Sequence, residues 1–222
     1  GKSDWALSAP GPIAYMNFDR NEEAVLWKYS KLKKIHQSKY DYPVPKPGLG
    51  TADYTPVWEK IVRDYNAALA APEIRTVVVD TNSEVHMLIR LARLGKLANI
   101  QPFNYQPVNA EYSSFVERAK DTDKNVIFVH RMSEDWENKL VGGKLESKPT
   151  GTFSRDGYNK IHYLVQAMVT HSYDVENGEF SIKVEDCSQN MSVAGMTLSG
   201  DLCSFSQLGM MVFPDTTEEF WK

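Results

Sequence analysis

Gly1, Lys2 and Ser3 are the first residues of this 222-residue chain whose types and order suggest chemistry. Glycine, lysine and a hydroxyl residue in succession close a phosphate-binding loop of the form GxxxxGK followed by Ser or Thr. In such a loop backbone N–H groups wrap an oxyanion, the lysine meets the outer phosphates and the hydroxyl binds Mg2+. The same tripeptide also occurs in ordinary surface turns, so its meaning depends on what the chain places beside it. Thr76-Val77-Val78-Val79-Asp80 is a short β-branched run ending in a carboxylate, the pattern of a buried parallel strand that delivers an acid to a Mg2+ site. Asp19 closes the apolar run at 13–18, and His130 closes Val126-Ile127-Phe128-Val129. Three strands that each end in a polar residue fit the edge of an open α/β sheet where ligands gather. The chain thus opens in mid-motif, and a first strand and the first five loop positions are expected upstream of Gly1.

The elements needed to position these residues can be read from periodicity. A helical stretch at residues 4–7 and a Pro-Gly-Pro break at 10–12 precede the strand at 13–18. Residues 21–39 look helical, with Lys28, Lys31, Lys33, Lys34 and Lys39 on a basic side. A Pro- and Gly-rich loop at 40–50 then separates two units. Thr55-Pro56 opens an amphipathic helix to about Ala70, with Thr55 as cap. Thr81 or Ser83 caps a further helix at 84–97, and a loop at 99–107 leads to another near 109–121. Residues 133–156 form a long mobile loop or an exposed hairpin, and a helix follows near 157–167. Asn177-Gly178 marks a two-residue hairpin between strands at 168–175 and 179–185. The tail at 196–213 holds an edge strand or a short helix. Together these elements predict an α/β fold in one domain, 1–222, with a mostly parallel sheet flanked by helices and a C-terminal β-hairpin extension.

Composition sets limits on function. A formal net charge of −4 gives no whole-molecule attraction to nucleic acid, so such binding needs a local patch. The two cysteines, Cys187 and Cys203, form neither a disulfide framework nor a CxxC metal pair and suggest a reducing cytosol. No apolar stretch reaches transmembrane length, so no membrane partner is expected. The five histidines show no metal-ligand spacing, and no GxSxG or Cys/His nucleophile signature occurs.

GKSDWALSAPGPIAYMNFD, RTVVVDTNSEV, LIRLARLGKL, PVNAEY, KNVIFVHRM and DCSQN together resemble the RecA-like P-loop ATPases of phages, a group that includes single-strand annealing recombinases. The resemblance spans nearly the whole chain. It implies a RecA-like core, Mg-ATP binding, assembly into a homo-oligomeric ring or filament, and work on single-stranded DNA in the bacterial host cytoplasm. By that resemblance Gly1, Lys2 and Ser3 bind nucleotide and Ser3 and Asp80 hold Mg2+. Asp19 orients the attacking water, although that group commonly keeps a glutamate there, and His130 senses the γ-phosphate. The segment 133–160 becomes a DNA-facing loop, with Lys139, Lys144, Lys148 and Arg155 as its contacts. Read as residues alone, Asp80, Asp19 and His130 retain simpler roles as helix cap, turn residue and hydrogen-bonded core histidine. Two other functions stay open: a nucleotide-binding scaffold that does not hydrolyse ATP, in a replication or recombination complex, and a packaging or helicase-type motor.

Overall fold

The computed structural model describes residues 1–19, 23–43, 53–95, 101–141 and 144–221. Four parallel strands form its central sheet: β1 (Ile13–Asn17), β2 (Ile35–Lys39), β3 (Thr76–Asp80) and β4 (Asn125–Val129), in the order β2-β1-β3-β4. The alternation of β1 and β3 explains why both read as continuous apolar runs. Ala14, Met16, Val77 and Val79 enter one core, and Ile13, Tyr15 and Val78 enter another on the opposite face. With both faces covered, every position in these strands is buried and there is no polar phase.

The first face is covered by helices α3 (Thr55–Ala70), α4 (Asn82–Leu94) and α5 (Tyr105–Glu117), through residues such as Trp58, Ile61, Leu88, Ile89 and Phe115. On the second face lie α1 (Lys2–Leu7), α2 (Glu23–Ser30) and α6 (Phe205–Val212), together with an antiparallel sheet of β7 (Ala167–Asp174), β8 (Glu179–Cys187) and β9 (Thr197–Ser199). A separate hairpin, β5 (Met132–Val141) and β6 (Lys144–Arg155), springs from the C-terminal end of β4. The fold is therefore mixed α/β, a parallel sheet flanked by helices with antiparallel hairpins added.

Several expectations need correction. The helix at 21–39 stops at Ser30, and Ile35–Lys39 is instead an edge strand parallel to β1. The lysines that looked like a solvated helical face have another use: Lys33 Nζ donates to the carbonyls of Ser8 and Ala9, at 3.3 and 2.6 Å, tying the turn before β2 to the end of α1. Thr55 is not the cap of α3. Tyr54 takes that position, and the Asp53 carboxylate accepts from the Thr55 N–H at 2.9 Å. Thr81 does hold the cap position of α4, without a side-chain bond to the helix. At 157–167 there is only a 3-10 turn, Asn159–Tyr163, and the β7–β8 connection has four residues because Asp174 pairs with Glu179. The tail holds both candidates, β9 and α6. The helix expected at 84–97 starts at Asn82 and stops at Leu94, where Gly95 caps it at φ 62°, and most of the loop at 40–50 lies outside the described residues.

The C-terminus closes the second face. In α6, Gly209 lies under the indole of Trp221, and a Cβ on Gly209 would stand 2.5 Å from Trp221 Cδ2. Gly209→Ala must displace a ring that is itself buried. Overpacking of this kind costs about 1 to 3 kcal/mol. Thermal unfolding should show that Gly209→Ala lowers the midpoint in the wild-type chain but not in a Trp221→Ala background, where space has been made; an equal loss in both backgrounds would show that the contact carries no constraint.

Candidate functional site

The C-terminal edge of the parallel sheet gathers most of the residues singled out by sequence. Asp80 ends β3 at 1% exposure, in register with Asn17 of β1 and Val129 of β4. Its Oδ2 accepts from Ser3 Oγ at 2.6 Å and from the Tyr15 hydroxyl at 3.0 Å. Ser3 reaches it because α1 packs Trp5, Ala6 and Leu7 into the second core, which brings the start of the helix over the end of β3. Lys2 is exposed at the same end. The loop hydroxyl and the strand-end carboxylate, 77 positions apart in the chain, are thus in direct contact.

Beside this pair is a second polar cluster. The Asn82 amide nitrogen donates to the Tyr112 hydroxyl and to His130 Nε2, the latter at 3.1 Å. His130 Nδ1 faces the Asp156 carbonyl at 3.2 Å. These partners select one tautomer, with the proton on Nδ1 and Nε2 accepting. A second proton, on Nε2, would point at the Asn82 N–H. Burial, the first cause, pulls the His130 pKa down to about 4 against the opposing bond to the Asp156 carbonyl, and Arg155 and His86 push it the same way as burial. His130 is therefore a neutral, hydrogen-bonded group at pH 7.

Asp19 lies outside both clusters. Its Oδ2 accepts from Arg131 Nη2 at 3.0 Å, and the other guanidinium nitrogen of Arg131 donates to Glu84 at 2.8 Å. Arg131 N in turn donates to Ser83 Oγ, which donates to the Asp156 carbonyl. Three buried oxygens at this edge, Asn17 Oδ1, Thr81 Oγ1 and Asn82 Oδ1, have no hydrogen-bond partner among the described residues. The peptide bond between Asp80 and Thr81 is cis.

Of the basic residues expected to meet DNA, Lys148 stands opposite Glu137 in the β5–β6 register, and Lys139 is opposite Glu146. The side chains of Lys139 and Lys144 are outside the described residues. Arg155 is at the root of the hairpin, half-buried, with Nη1 2.9 Å from Met168 Sδ. The hairpin also exposes Trp136 and Phe153. Sequence reasoning missed Tyr15, Asn82, Tyr112 and Arg131. Tyr15 looked like one more apolar strand residue, and Asn82 lay between the two cap candidates Thr81 and Ser83 without a role of its own. The Tyr15 hydroxyl, within a run whose other early residues are apolar, could have pointed to a partner within the core.

Protein-family models and curated proteins give no match to this sequence. Among the described residues no helix is long and apolar enough to cross a membrane, and no group of three or more His, Cys, Asp and Glu side chains is placed to hold a metal ion.

Stability should depend on pH through His130. The unfolded chain takes the imidazole proton near the ordinary value of about 6.5, whereas the folded chain does so only near 4. Stability from this group is therefore complete above pH 6.5, and falls as the pH drops towards 4. His171, also lowered to about 4 by burial and then by the N-terminal amine and Lys2, adds a slope of the same sign. His130→Gln should lessen, without abolishing, the drop in melting temperature between pH 7 and pH 5. A circular-dichroism melting series in which the variant follows the wild-type pH dependence would reject this assignment.

Proposed function

We propose that this chain binds a Mg2+-nucleoside triphosphate, ATP by its resemblance, at the C-terminal edge of the parallel sheet, as a RecA-like P-loop protein. The observation that carries the reading is the 2.6 Å contact between Ser3 Oγ and Asp80 Oδ2. A hydroxyl and a carboxylate so joined are hard oxygen donors for one Mg2+. Such an ion usually takes only one or two protein carboxylates, with phosphates and water completing its shell. The unpartnered oxygens of Asn17, Thr81 and Asn82 add polar capacity at the same edge. Bound Mg2+ would neutralise phosphate charge, with Ser3 and Asp80 holding it. Lys2, exposed beside Ser3, would meet the outer phosphates, and neutral His130, held by Asn82, would offer a hydrogen bond rather than a charge.

The resemblance further supports a phage-encoded role in recombination or annealing of single-stranded DNA, in the host cytoplasm and as a homo-oligomer. One observation favours the alternative, a nucleotide-binding scaffold that does not hydrolyse: Asp19, the expected base, is committed to Arg131.

Calorimetry with Mg-ATP should detect binding by the wild-type chain and its loss in Lys2→Ala and Asp80→Asn. Removing one charge-assisted contact of about 1.5 to 3 kcal/mol weakens affinity by roughly 10- to 100-fold. Wild-type affinity in both variants, each shown to be folded by its melting curve, sinks the site.

Binding to single-stranded DNA, if the hairpin makes about three phosphate contacts, should weaken with salt at a log–log slope of about −2, since each contact contributes about −0.7. Lys144→Gln combined with Lys148→Gln should flatten that slope and leave ATP binding alone. An unchanged slope moves the DNA contacts elsewhere, and no binding at low salt leaves the scaffold reading ahead.

A further inference from the structure

A cavity of about 630 Å³ runs along the outer side of β4. Its walls include Ile127 and Val129 of β4, Ala167 and Val169 of β7, and Leu208 and Val212 of α6. β4 is the last described strand of its sheet and β7 the last of the other, and both line one space that is mostly apolar but also meets Lys2, Lys120, Lys124, Arg155 and Glu185. The ladder phase identifies the backbone groups involved. Asn125 N donates to the Arg75 carbonyl, which points Asn125, Ile127 and Val129 towards β3. Strand backbone alternates, so Val126 and Phe128 turn their N–H and C=O groups to the cavity side, where no described strand pairs with them. β1 and β3 are buried at all five positions, yet β4, with the similar sequence Asn-Val-Ile-Phe-Val, is only partly buried at its first four. Trp5 and His171 also line the space, and the indole nitrogen and both imidazole nitrogens are buried with no hydrogen-bond partner among the described residues.

We infer that this cavity is a strand-accepting groove, whose occupant is an extended peptide of five or six mainly apolar, β-branched residues that pairs with Val126 and Phe128 of β4. N–H and C=O groups with no partner among the described residues, at the edge of a mostly apolar space, favour a main chain over a lipid or a compact apolar molecule, because only a strand satisfies that row while filling the space between. The five-residue length of β4 sets the length of the occupant. The cavity volume lies within the roughly 300 to 1,000 Å³ of sites that enclose a ligand. The inference does not depend on nucleotide binding, since β4 presents these groups along its length and not only at its C-terminal end.

The test uses the whole chain and a synthetic hexapeptide of alternating valine and isoleucine, flanked by lysines for solubility, alongside the same peptide N-methylated at alternate residues. Amide hydrogen exchange read by NMR should slow at least about tenfold at Val126 and Phe128 with the unmethylated peptide. Asn125, Ile127 and Val129, already bonded to β3, should change little, and the methylated peptide should protect neither set. Equal binding of the two peptides would show an apolar sink and overturn the strand-pairing inference. No binding at about 1 mM peptide, an affinity of roughly −4 kcal/mol, would overturn it also.

Discussion

Asp80 places a carboxyl group at the end of a strand buried at every position, where bulk water cannot solvate it. Burying such a group is unfavourable by several kcal/mol unless hydrogen-bond donors replace the lost water. Two donors come from different elements, Ser3 of α1 and Tyr15 of β1. The Phe18 N–H also bonds to the Asp80 carbonyl at 2.6 Å, so β1 and β3 are joined at this point by side chain and main chain together. Docking of α1 and the register of β1 are therefore both tied to one acid. Slipping β1 by one residue would send Tyr15 to the other face and leave that acid short of a donor.

Further polar groups follow from the same geometry. Parallel strands end together, so whatever follows each strand lies at one edge, and here that brings together Asn17, the Asp80-Thr81-Asn82 corner and His130. Asn82 opens α4 and can reach both α5, at Tyr112, and the end of β4, at His130. One side chain thus links two helices and a strand. A network of this sort favours a single arrangement, since moving any member leaves a buried group unsatisfied.

How much of this was legible depends on where each signal lies. The strands at 13–17 and 76–80 could be read because burial on both faces removes the alternating polar phase, and that at 125–129 because its apolar run at 126–129 is continuous although its first four positions are only partly buried. Ser3, Asp80 and His130 could be placed at one edge because strand ends in a parallel sheet coincide. β2 could not be read: Ile-His-Gln-Ser-Lys has one apolar residue, and its strand character comes from pairing with β1, a tertiary effect that overrides local pattern. Nor could the partners within the edge be read. Whether Asp19 meets water, a cation or Arg131 is decided by how the chain turns after β4, 112 positions away.

The Asp19–Arg131 pair bears on both proposed functional readings. Both partners are partly exposed, Arg131 at 44% and Asp19 at 28% of their side chains. Exposed pairs contribute only about 0 to 1 kcal/mol because water and salt compete for both charges. Arg131 shares its guanidinium with Glu84, so it would keep one acidic partner if Asp19 turned away. Release of Asp19 from Arg131 therefore costs no more than about 1 kcal/mol. Under the proposed nucleotide reading, its hydrolysing and scaffold forms would differ by a side-chain preference of the order of 1 kcal/mol, and not by the architecture of the sheet. The Ser3–Asp80 contact, part-buried and held by two packed elements, is common to both.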